Sequence, residues 1–281
     1  MSTASELSYY RRGHSPIFAS GVDQRFSYCT YLPSGYDPES ARKLPLAVLV
    51  HSTDRDAQYV RDEFVDWAER HQCLLYAPIF PAGILDPEDV DNYKWLEYRG
   101  LRFDLLLLRM LDELAAIYHV EVDRFLLTGF SGGAHFTHRF LFAHPRRVIG
   151  ASIAAPGVVT LLDPERPWPA GVGGLREALD VELDLDGVRE VPVQLVIGDR
   201  DVETWEIGIP PGAPWHIPGV NDLETDRIRR IHALRESLEA QGVRVEVDTV
   251  PGVDHDGQKL AAPTKGFFSA VLGGLEDRLE R

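Results

Sequence analysis

Residues 124–134 read RFLLTGFSGGA, and they carry the strongest structural signal in the chain. The apolar residues 125–127 predict a short buried strand, and residues 129–133 match the pattern G-x-S-x-G. A helix-like segment follows and ends at Pro145. A serine held between a strand and a helix, with glycines that let the backbone turn tightly, is typical of a nucleophile elbow. We therefore predict that Ser131 is a nucleophile at a strand end, rather than an incidental serine in a glycine-rich turn.

Strand-like and helix-like segments alternate on both sides of this elbow. Apolar or β-branched runs predict strands at residues 26–32, 44–50, 73–77, 124–128, 148–153, 191–197 and 243–250. We expect Pro78 to end the third of them. Helical spacing of apolar residues predicts helices at residues 61–70, 102–118, 223–241 and 263–281. This alternation predicts one α/β domain over residues 1–281, with a mostly parallel central sheet and helices on both faces.

Two irregular stretches interrupt the alternation. Residues 157–190 contain three prolines and a glycine-rich run, and residues 203–221 contain four prolines and two tryptophans. Long irregular insertions in a compact domain are usually functional loops. Both stretches follow predicted strands, and ligands bind at the carboxyl ends of the strands in an open α/β sheet. We expect both insertions to be lids or pocket walls rather than linkers.

The composition is that of an ordinary globular protein with a strong acidic bias. The 281 residues are 44% hydrophobic and 26% charged, which excludes disordered and collagen-like chains. Forty-four Asp and Glu residues against 29 Lys and Arg residues leave a formal net charge of −15. Nucleic acids and anionic membranes bind basic surfaces, so neither is an expected partner. We expect a small-molecule substrate, and the sequence leaves the oligomeric state open.

Three features of the sequence predict a cytoplasmic protein. Residues 1–12 lack the apolar core of a signal peptide. No apolar run approaches the length needed to cross a bilayer. Cys29 and Cys73 are the only two cysteines, and we expect both to be free thiols in a reducing compartment.

No metal or cofactor is implied by the sequence. His135 and His138 have the helical spacing of a metal-binding pair, but no carboxylate lies on the same turn. We therefore expect these two histidines to have packing or hydrogen-bonding roles. No phosphate-binding loop is present, and the short glycine-rich run at residues 171–174 follows a loop rather than a strand.

A serine hydroxyl is too weakly acidic to attack a carbonyl unaided, so it requires a base and an orienting carboxylate. Both follow the serine in the chain order of this type of elbow. Three histidines lie downstream of the sixth predicted strand: His216, His232 and His255. His232 belongs to a helical pattern, and His216 lies in the proline-rich insertion. We predict His255 as the base, because it follows the last strand and a Pro-Gly turn that could fold it over the sheet edge.

Candidates for the carboxylate follow the strand at residues 191–197, where the chain reads GDRD. Asp201 is preferred because it stands three residues after Gly198, far enough to clear the strand and reach the crevice. Asp199 is the second candidate and Glu203 the third. The usual alternative for such a residue is a solvated loop charge.

An oxyanion hole requires two preorganised backbone donors. The amide of Gly132, directly after the nucleophile, is the first candidate, and the second comes from the loop after the strand at residues 44–50. In that loop we favour Thr53, with Ser52 as the alternative. We expect His51 to be a buried residue that braces the loop through hydrogen bonds rather than a participant in catalysis.

Five further residues are candidates for substrate contact. Ser52 and Phe130 adjoin the oxyanion loop and the nucleophile, while Trp205, Trp215 and His216 lie in the second insertion. Aromatic rings in loops need burial or a ligand, so they often cover a pocket. A pocket walled in this way favours a neutral, apolar or aromatic acyl or alcohol group.

The sequence resembles the α/β-hydrolase superfamily over nearly its whole length. The loop around His51, the elbow at Ser131, Asp201 and His255 fall in that family's order along the chain. The entry to the core at residues 31–36, YLPSGY, looks like that of the esterase and polyhydroxyalkanoate-depolymerase-like branch. The resemblance implies hydrolysis of carboxylic esters through an acyl-serine intermediate.

The sequence departs from this family at one position and leaves other reactions open. The family commonly has His-Gly where this chain has His51-Ser52, and a side chain there would narrow the pocket or alter the oxyanion loop. The same residues would also serve amide, lactone, thioester or carbon–carbon cleavage. A protein that keeps the fold but binds a ligand, or assists a non-hydrolytic biosynthetic step, is the alternative from another class.

Overall fold

The computed structural model describes residues 7–205, 207–223 and 226–279. The expectations for residues 1–6, 206, 224–225 and 280–281 lie outside the described residues. The strands are β1 Gly13–His14, β2 Phe18–Ala19, β3 Ser27–Leu32, β4 Leu46–Val50, β5 Leu74–Ile79, β6 Glu97–Tyr98, β7 Leu101–Arg102, β8 Phe125–Phe130, β9 Val148–Ala154, β10 Val193–Gly198 and β11 Val245–Val250. The helices are α1 Ala57–Glu63, α2 Val65–His71, α3 Phe103–Ala115, α4 Gly132–Ala143, α5 Leu175–Leu179, α6 Leu185–Glu190, α7 Arg227–Ala240 and α8 Gly257–Leu279.

One large sheet forms the centre of the described chain. Its strand order is β1-β3-β5-β4-β8-β9-β10-β11, and β2 also pairs with β3. The six strands from β5 to β11 in this order are parallel to one another, whereas β1, β2 and β3 pair antiparallel at one side. The predicted fold class, a mostly parallel sheet flanked by helices, is confirmed.

The central strands are buried on both faces because helices cover both. In β4 the side chains alternate, with Val48 and Val50 in one apolar cluster and Ala47 and Leu49 in another. The first cluster includes residues of α3, α4 and α7, and the second includes residues of α2 and α8. A continuous apolar run such as LAVLV therefore suits a strand that faces a core on each side.

Two expectations about proline are wrong. Strand β5 continues through Pro78 to Ile79, because the pairing with β4 ends at Tyr76 and leaves Pro78 paired only with Tyr28 of β3. Helix α8 begins at Gly257 and contains Pro263 in its interior, instead of beginning there. The preceding turn buries Leu260 and Ala261, and this burial offsets the hydrogen bond that a proline removes.

Two further elements differ from expectation. The helix predicted at residues 61–70 is two helices, because the backbone leaves helical geometry at Phe64. The Phe64 ring is buried and contacts Trp67 and Phe268. The first insertion is less irregular than expected, since α5 and α6 lie within it. In the described ranges, no helix combines the length and apolarity that a membrane crossing requires.

Candidate active site

The elbow at Ser131 has a strained backbone held by close packing. Ser131 has φ 52° and ψ −112°, a conformation that non-glycine residues rarely adopt, and its amide donates to the Ala154 carbonyl at 2.9 Å. A side chain on Gly129 would collide with the backbone of Gly133, and one on Gly133 would collide with the Val50 carbonyl oxygen. The two glycines therefore let β4, β8 and α4 approach closely enough to present the serine at the carboxyl end of the sheet.

The structure brings Ser131, His255 and Asp201 together in one hydrogen-bonded chain. His255 Nε2 lies 3.0 Å from Ser131 Oγ, and His255 Nδ1 lies 2.7 Å from Asp201 Oδ2. Asp201 is fully buried, while 12% of the His255 side chain is exposed. With Nδ1 donating to the carboxylate, Nε2 is the acceptor for the serine hydroxyl. This arrangement can remove a proton from Ser131 and hold it on an oriented imidazole.

The two other acid candidates lie apart from His255 Nδ1. Asp199 is exposed, and its Oδ1 accepts a hydrogen bond from the Gly252 amide at 2.7 Å. It therefore holds the turn that precedes His255. Glu203 is exposed at the wall of the neighbouring cavity. Of the three carboxylates, Asp201 is the one bonded to the histidine.

The two residues predicted to supply oxyanion amides, Gly132 and Thr53, lie close together. The amide of Ser52 is occupied, because it donates to Asp56 Oδ1 at 3.1 Å, and the Ser52 hydroxyl donates to the same oxygen. This leaves the amide of Thr53 as the available donor in the loop. Thr53 Oγ1 lies 2.9 Å from the place where a Cβ on Gly132 would stand. Gly132 opens α4, and the first amides of a helix have no acceptor within the helix.

A cavity of about 530 Å³ opens beside His255, between α1 and α8. Its apolar wall includes Val60, Phe64, Phe130, Leu260 and Ala261. Its carboxylate-bearing residues are Asp54, Asp56, Glu63, Glu203, Asp254 and Asp256. Arg200 is the one arginine or lysine among the described lining residues. The cavity can therefore hold an apolar group next to His255, and its carboxylates expose a negative potential to an arriving ligand.

Comparisons with known proteins identify the fold. No protein-family model and no curated protein matches the sequence. Among solved structures, poly(aspartic acid) hydrolase-1 from Sphingomonas sp. KT-1 matches with a TM-score of 0.70 at 17% identity, over 91% of this chain and 98% of that one. A poly(3-hydroxybutyrate) depolymerase from Bordetella parapertussis matches with a TM-score of 0.67 at 24% identity, over 86% and 83%. The chain has the α/β-hydrolase fold.

A third similar structure extends the comparison. The S-formylglutathione hydrolase from Agrobacterium tumefaciens matches with a TM-score of 0.61 at 14% identity, over 96% of this chain and 98% of that one. At these identities the likeness is one of fold. Within this α/β-hydrolase fold, the elbow, the acid loop after β10 and the histidine loop after β11 meet at the same edge of the sheet.

His51 braces the oxyanion loop of this α/β-hydrolase fold, the role expected from the sequence. Its ring is fully buried; Nδ1 donates to the Ser52 carbonyl at 2.7 Å, and Nε2 accepts from the Phe80 amide at 2.9 Å. Desolvation by burial lowers the pKa of His51 to about 4, so the ring is neutral at physiological pH. The Tyr93 hydroxyl donates to the His51 carbonyl at 3.1 Å and holds the loop from a second side.

The predicted contact residues divide into two groups. Ser52, Phe130 and Trp205 line the cavity, and the Trp205 ring lies edge-on to His255 with 6.0 Å between centroids. Trp215 and His216 do not line it. Trp215 stacks on Trp95 at 5.0 Å between centroids, and His216 is exposed to solvent. Trp215 has a ring partner from a different segment of the chain, and substrate contact by Trp215 and His216 stays a prediction.

The start of the first insertion is tied to the elbow helix rather than hinged. His135 Nε2 accepts from the amides of Gly157 and Val158 at 2.8 and 2.9 Å. His138 Nε2 accepts from the Thr160 amide at 3.0 Å. Burial lowers the pKa of both rings well below the usual range, which keeps them neutral acceptors. The two histidines thus hold a loop, and the described residues contain no group of three or more potential metal ligands.

Sequence reasoning did not identify Arg227 as part of the site. This residue of α7 has its side chain 2% exposed, and its Nη1 lies 3.3 Å from Asp201 Oδ1. In the sequence it is one of several arginines in a polar helical pattern, RIRRIHALRES, so no local signal distinguishes it. Its short distance to Asp201 is what distinguishes Arg227 from the other arginines of this helix.

Proposed function

We propose that the protein is a serine hydrolase that cleaves a carboxylic ester of a small, largely neutral or aromatic substrate. The observation that carries this proposal is the hydrogen-bonded chain from Asp201 through His255 to Ser131, with Gly132 directly after the serine and Thr53 close to Gly132. A nucleophile, a base, an orienting acid and two oxyanion donors are the parts that acyl transfer requires.

The mechanism follows from the positions of these groups. Ser131 Oγ attacks the ester carbonyl while His255 Nε2 takes its proton, and the negative charge on the carbonyl oxygen faces the amides of Gly132 and Thr53. His255 then gives the proton to the leaving alcohol, which departs and leaves an acyl-serine. A water molecule attacks this ester with His255 as the base again, and Ser131 regains its proton as the acid product leaves. Asp201 stabilises the imidazolium formed in each half-reaction.

The cavity argues for the substrate class. Its apolar wall, with Phe64 and Phe130, suits an alkyl or aromatic group, and its carboxylates disfavour an anion. One of the similar structures is a poly(aspartic acid) hydrolase, whose named substrate is a polyanion. The cavity of this chain does not suit a polyanion, because Arg200 is the one arginine or lysine among the described lining residues.

A cytoplasmic location forms part of the proposal. Cys29 and Cys73 are both buried free thiols in the structure. Burial raises the pKa of Cys29 to about 11, and it also raises the pKa of Cys73. Both therefore remain protonated and unreactive, which suits a reducing compartment.

The test combines an ester panel with a fluorophosphonate probe. We expect hydrolysis of p-nitrophenyl acetate and butyrate, labelling of Ser131, and a loss of at least about a hundredfold in kcat/KM in Ser131→Ala. Ser34→Ala is the matched control, because Ser34 is an exposed serine whose hydroxyl bonds to Glu69. This variant should keep both the ester hydrolysis and the probe labelling of the wild type. Wild-type protein that neither turns over an ester nor reacts with the probe would contradict the proposal and favour a ligand-binding protein with this fold. Amide, lactone and thioester substrates in the same panel separate the bond types.

A further inference from the structure

A buried ion pair connects the catalytic acid to the loop that carries Trp205. Asp201 and Arg227 are 0% and 2% exposed at their side chains, and Arg227 Nη1 lies 3.3 Å from Asp201 Oδ1. The other carboxylate oxygen, Oδ2, is the one bonded to His255. The two oxygens of Asp201 are therefore shared between the base and a single arginine, within a region that excludes water.

The same guanidinium also holds the backbone of the loop after β10. Residues 203–205 and 207–209 are called the strap here. Arg227 Nη1 donates to the Glu203 carbonyl at 3.1 Å, and Nη2 donates to the Trp205 carbonyl at 3.0 Å. The Arg227 guanidinium also lies 5.1 Å from the centre of the Trp205 ring, whose edge contacts His255. One planar group thus fixes the acid, the strap and the ring beside the base.

Arg230 provides an internal comparison. It lies on the same helix, is 3% exposed, and donates through Nη1 to the carbonyls of Gly157 and Ile207. Both arginines are buried on α7 and both hold carbonyls of the strap. Among the described hydrogen bonds, Asp201 Oδ1 is reached by Arg227 and not by Arg230.

We propose that Arg227 is a positioning residue for hydrolysis, which orients Asp201 toward His255 and fixes Trp205 against the base. This role rests on the proposed function and adds a fourth member to the hydrogen-bonded chain. Because the arginine carries a positive charge next to the acid, its replacement changes the electrostatic field in which the catalytic groups work, and the pH profile of kcat is the readout of that change.

Other charges near His255 stay the same in the variants that test this role. The β10 loop contributes Arg200 and Glu203, the loop after β4 and helix α1 contribute Asp54, Asp56 and Glu63, and the loop of His255 itself contributes Asp254 and Asp256. A change in the pH profile on replacing Arg227 alone therefore reports on the Arg227–Asp201 contact.

The experiment measures kcat and KM for p-nitrophenyl butyrate from pH 5 to pH 9 in three variants of the full chain. In Arg227→Gln we expect kcat to fall by about tenfold or more with KM within about threefold, and the acid limb of the kcat profile to shift by about 0.5 to 1 pH unit. Arg227→Lys keeps the charge, so its acid limb should stay while kcat falls, because an ammonium cannot reproduce the guanidinium's fixed fork. Arg230→Gln should have a kcat within about threefold of the wild-type value and an acid limb at the wild-type pH.

A double-mutant cycle adds a readout that a merely structural role would not move. If Arg227 acts through Asp201, Arg227→Gln should cost less than about threefold when added to Asp201→Asn. Equal losses in Arg227→Gln and Arg230→Gln, an unmoved acid limb, or additive losses in the cycle would each overturn the inference. Should Arg227→Gln not fold, wild-type kcat in Arg227→Lys would overturn it. If the wild type is active, any of these results leaves the proposed function standing. A wild type that is inactive and unlabelled by the fluorophosphonate probe would contradict both the proposed function and the inference about Arg227.

Discussion

Asp201 and Asp199 are two residues apart in the sequence, yet they lie in different surroundings and make different contacts. Asp201 is buried against His255 and Arg227, while Asp199 is exposed and accepts from the Gly252 amide. The functional consequence depends on these partners and not on the residue type.

We expect Asp201→Asn to lower kcat by about 10³- to 10⁴-fold, because an amide in place of the carboxylate disfavours the tautomer and the charge that the base requires. Asp199→Asn should leave kcat within about threefold, since its place in the turn needs only an acceptor oxygen, which Asn supplies. Steady-state kinetics with p-nitrophenyl butyrate on both variants provides the measurement. Similar losses of kcat in the two variants would show that the acid role does not belong to Asp201 alone.

His51 makes the stability of the protein depend on pH. Burial lowers its pKa from 6.5 to about 4 in the folded chain, so between these values the unfolded chain binds more protons. The free energy of unfolding must therefore rise with pH across this window. The contribution of His51 is fully present above pH 6.5 and is lost as the pH falls through about 4, with a size of about 3 kcal/mol.

We expect His51→Gln to flatten part of this dependence, because its amide oxygen can accept from the Phe80 amide without titrating. The measurement is urea unfolding at pH 4.5 and pH 7.5 for wild type and variant. The variant should lose less stability than wild type on acidification. An equal loss in both would show that His51 is not the source.

At the level of elements, the elbow depends on how closely β4, β8 and α4 approach one another. Gly133 leaves no room for a side chain against the Val50 carbonyl oxygen, and backbone atoms cannot move aside as the end of a flexible side chain can. Gly266, in the exposed face of α8, has no atom within 4 Å of the place where a Cβ would stand.

Gly133→Ala should therefore destabilise the protein by about 2 kcal/mol or more, and it should displace Ser131 enough to reduce fluorophosphonate labelling. Gly266→Ala, the matched helical control, should be neutral or stabilise by up to about 1 kcal/mol, since alanine is the better helix former. Thermal unfolding and the labelling rate of the two variants are compared directly. A stable, normally labelled Gly133→Ala would contradict the packing argument.

On the scale of the whole molecule, charge governs what reaches the cavity. The net charge of −15 and the carboxylates around the cavity create a negative potential over its mouth. Buried cations such as Arg139, Arg227 and Arg230 lie instead behind the elbow, where they bond to carbonyls and to Asp201.

We expect kcat/KM for the p-nitrophenyl ester of succinic acid to be about tenfold or more below that for pentanoic acid at 0.01 M salt. The ratio should narrow at 1 M salt, because the screening length falls from about 30 Å to about 3 Å. Glu63→Gln, which keeps an acceptor for Gln258, should improve only the anionic ester. If the ratio of the two kcat/KM values does not change with salt concentration, the shape of the cavity and not its charge selects the substrate.

Sequence alone was sufficient for the features that depend on neighbouring residues. The buried strands, the alternation with helices and the elbow at residues 129–133 are local patterns, because strand burial and tight turns place their demands on consecutive residues. Chain order then singled out Ser131, Asp201 and His255, and it ranked Asp199 and Glu203 behind Asp201 without separating them by contact.

The remaining features required the three-dimensional arrangement. Asp201 and His255 are 54 residues apart in the sequence, and His255 and Ser131 are 124 apart, so their bonds are visible only once the sheet has formed. Arg227 faces Asp201 across the fold, and Trp215 stacks on Trp95, and neither contact is visible in the residues that surround these positions in the sequence. Burial and hydrogen-bond partners come from distant segments, and no local pattern of residues encodes which segments will meet.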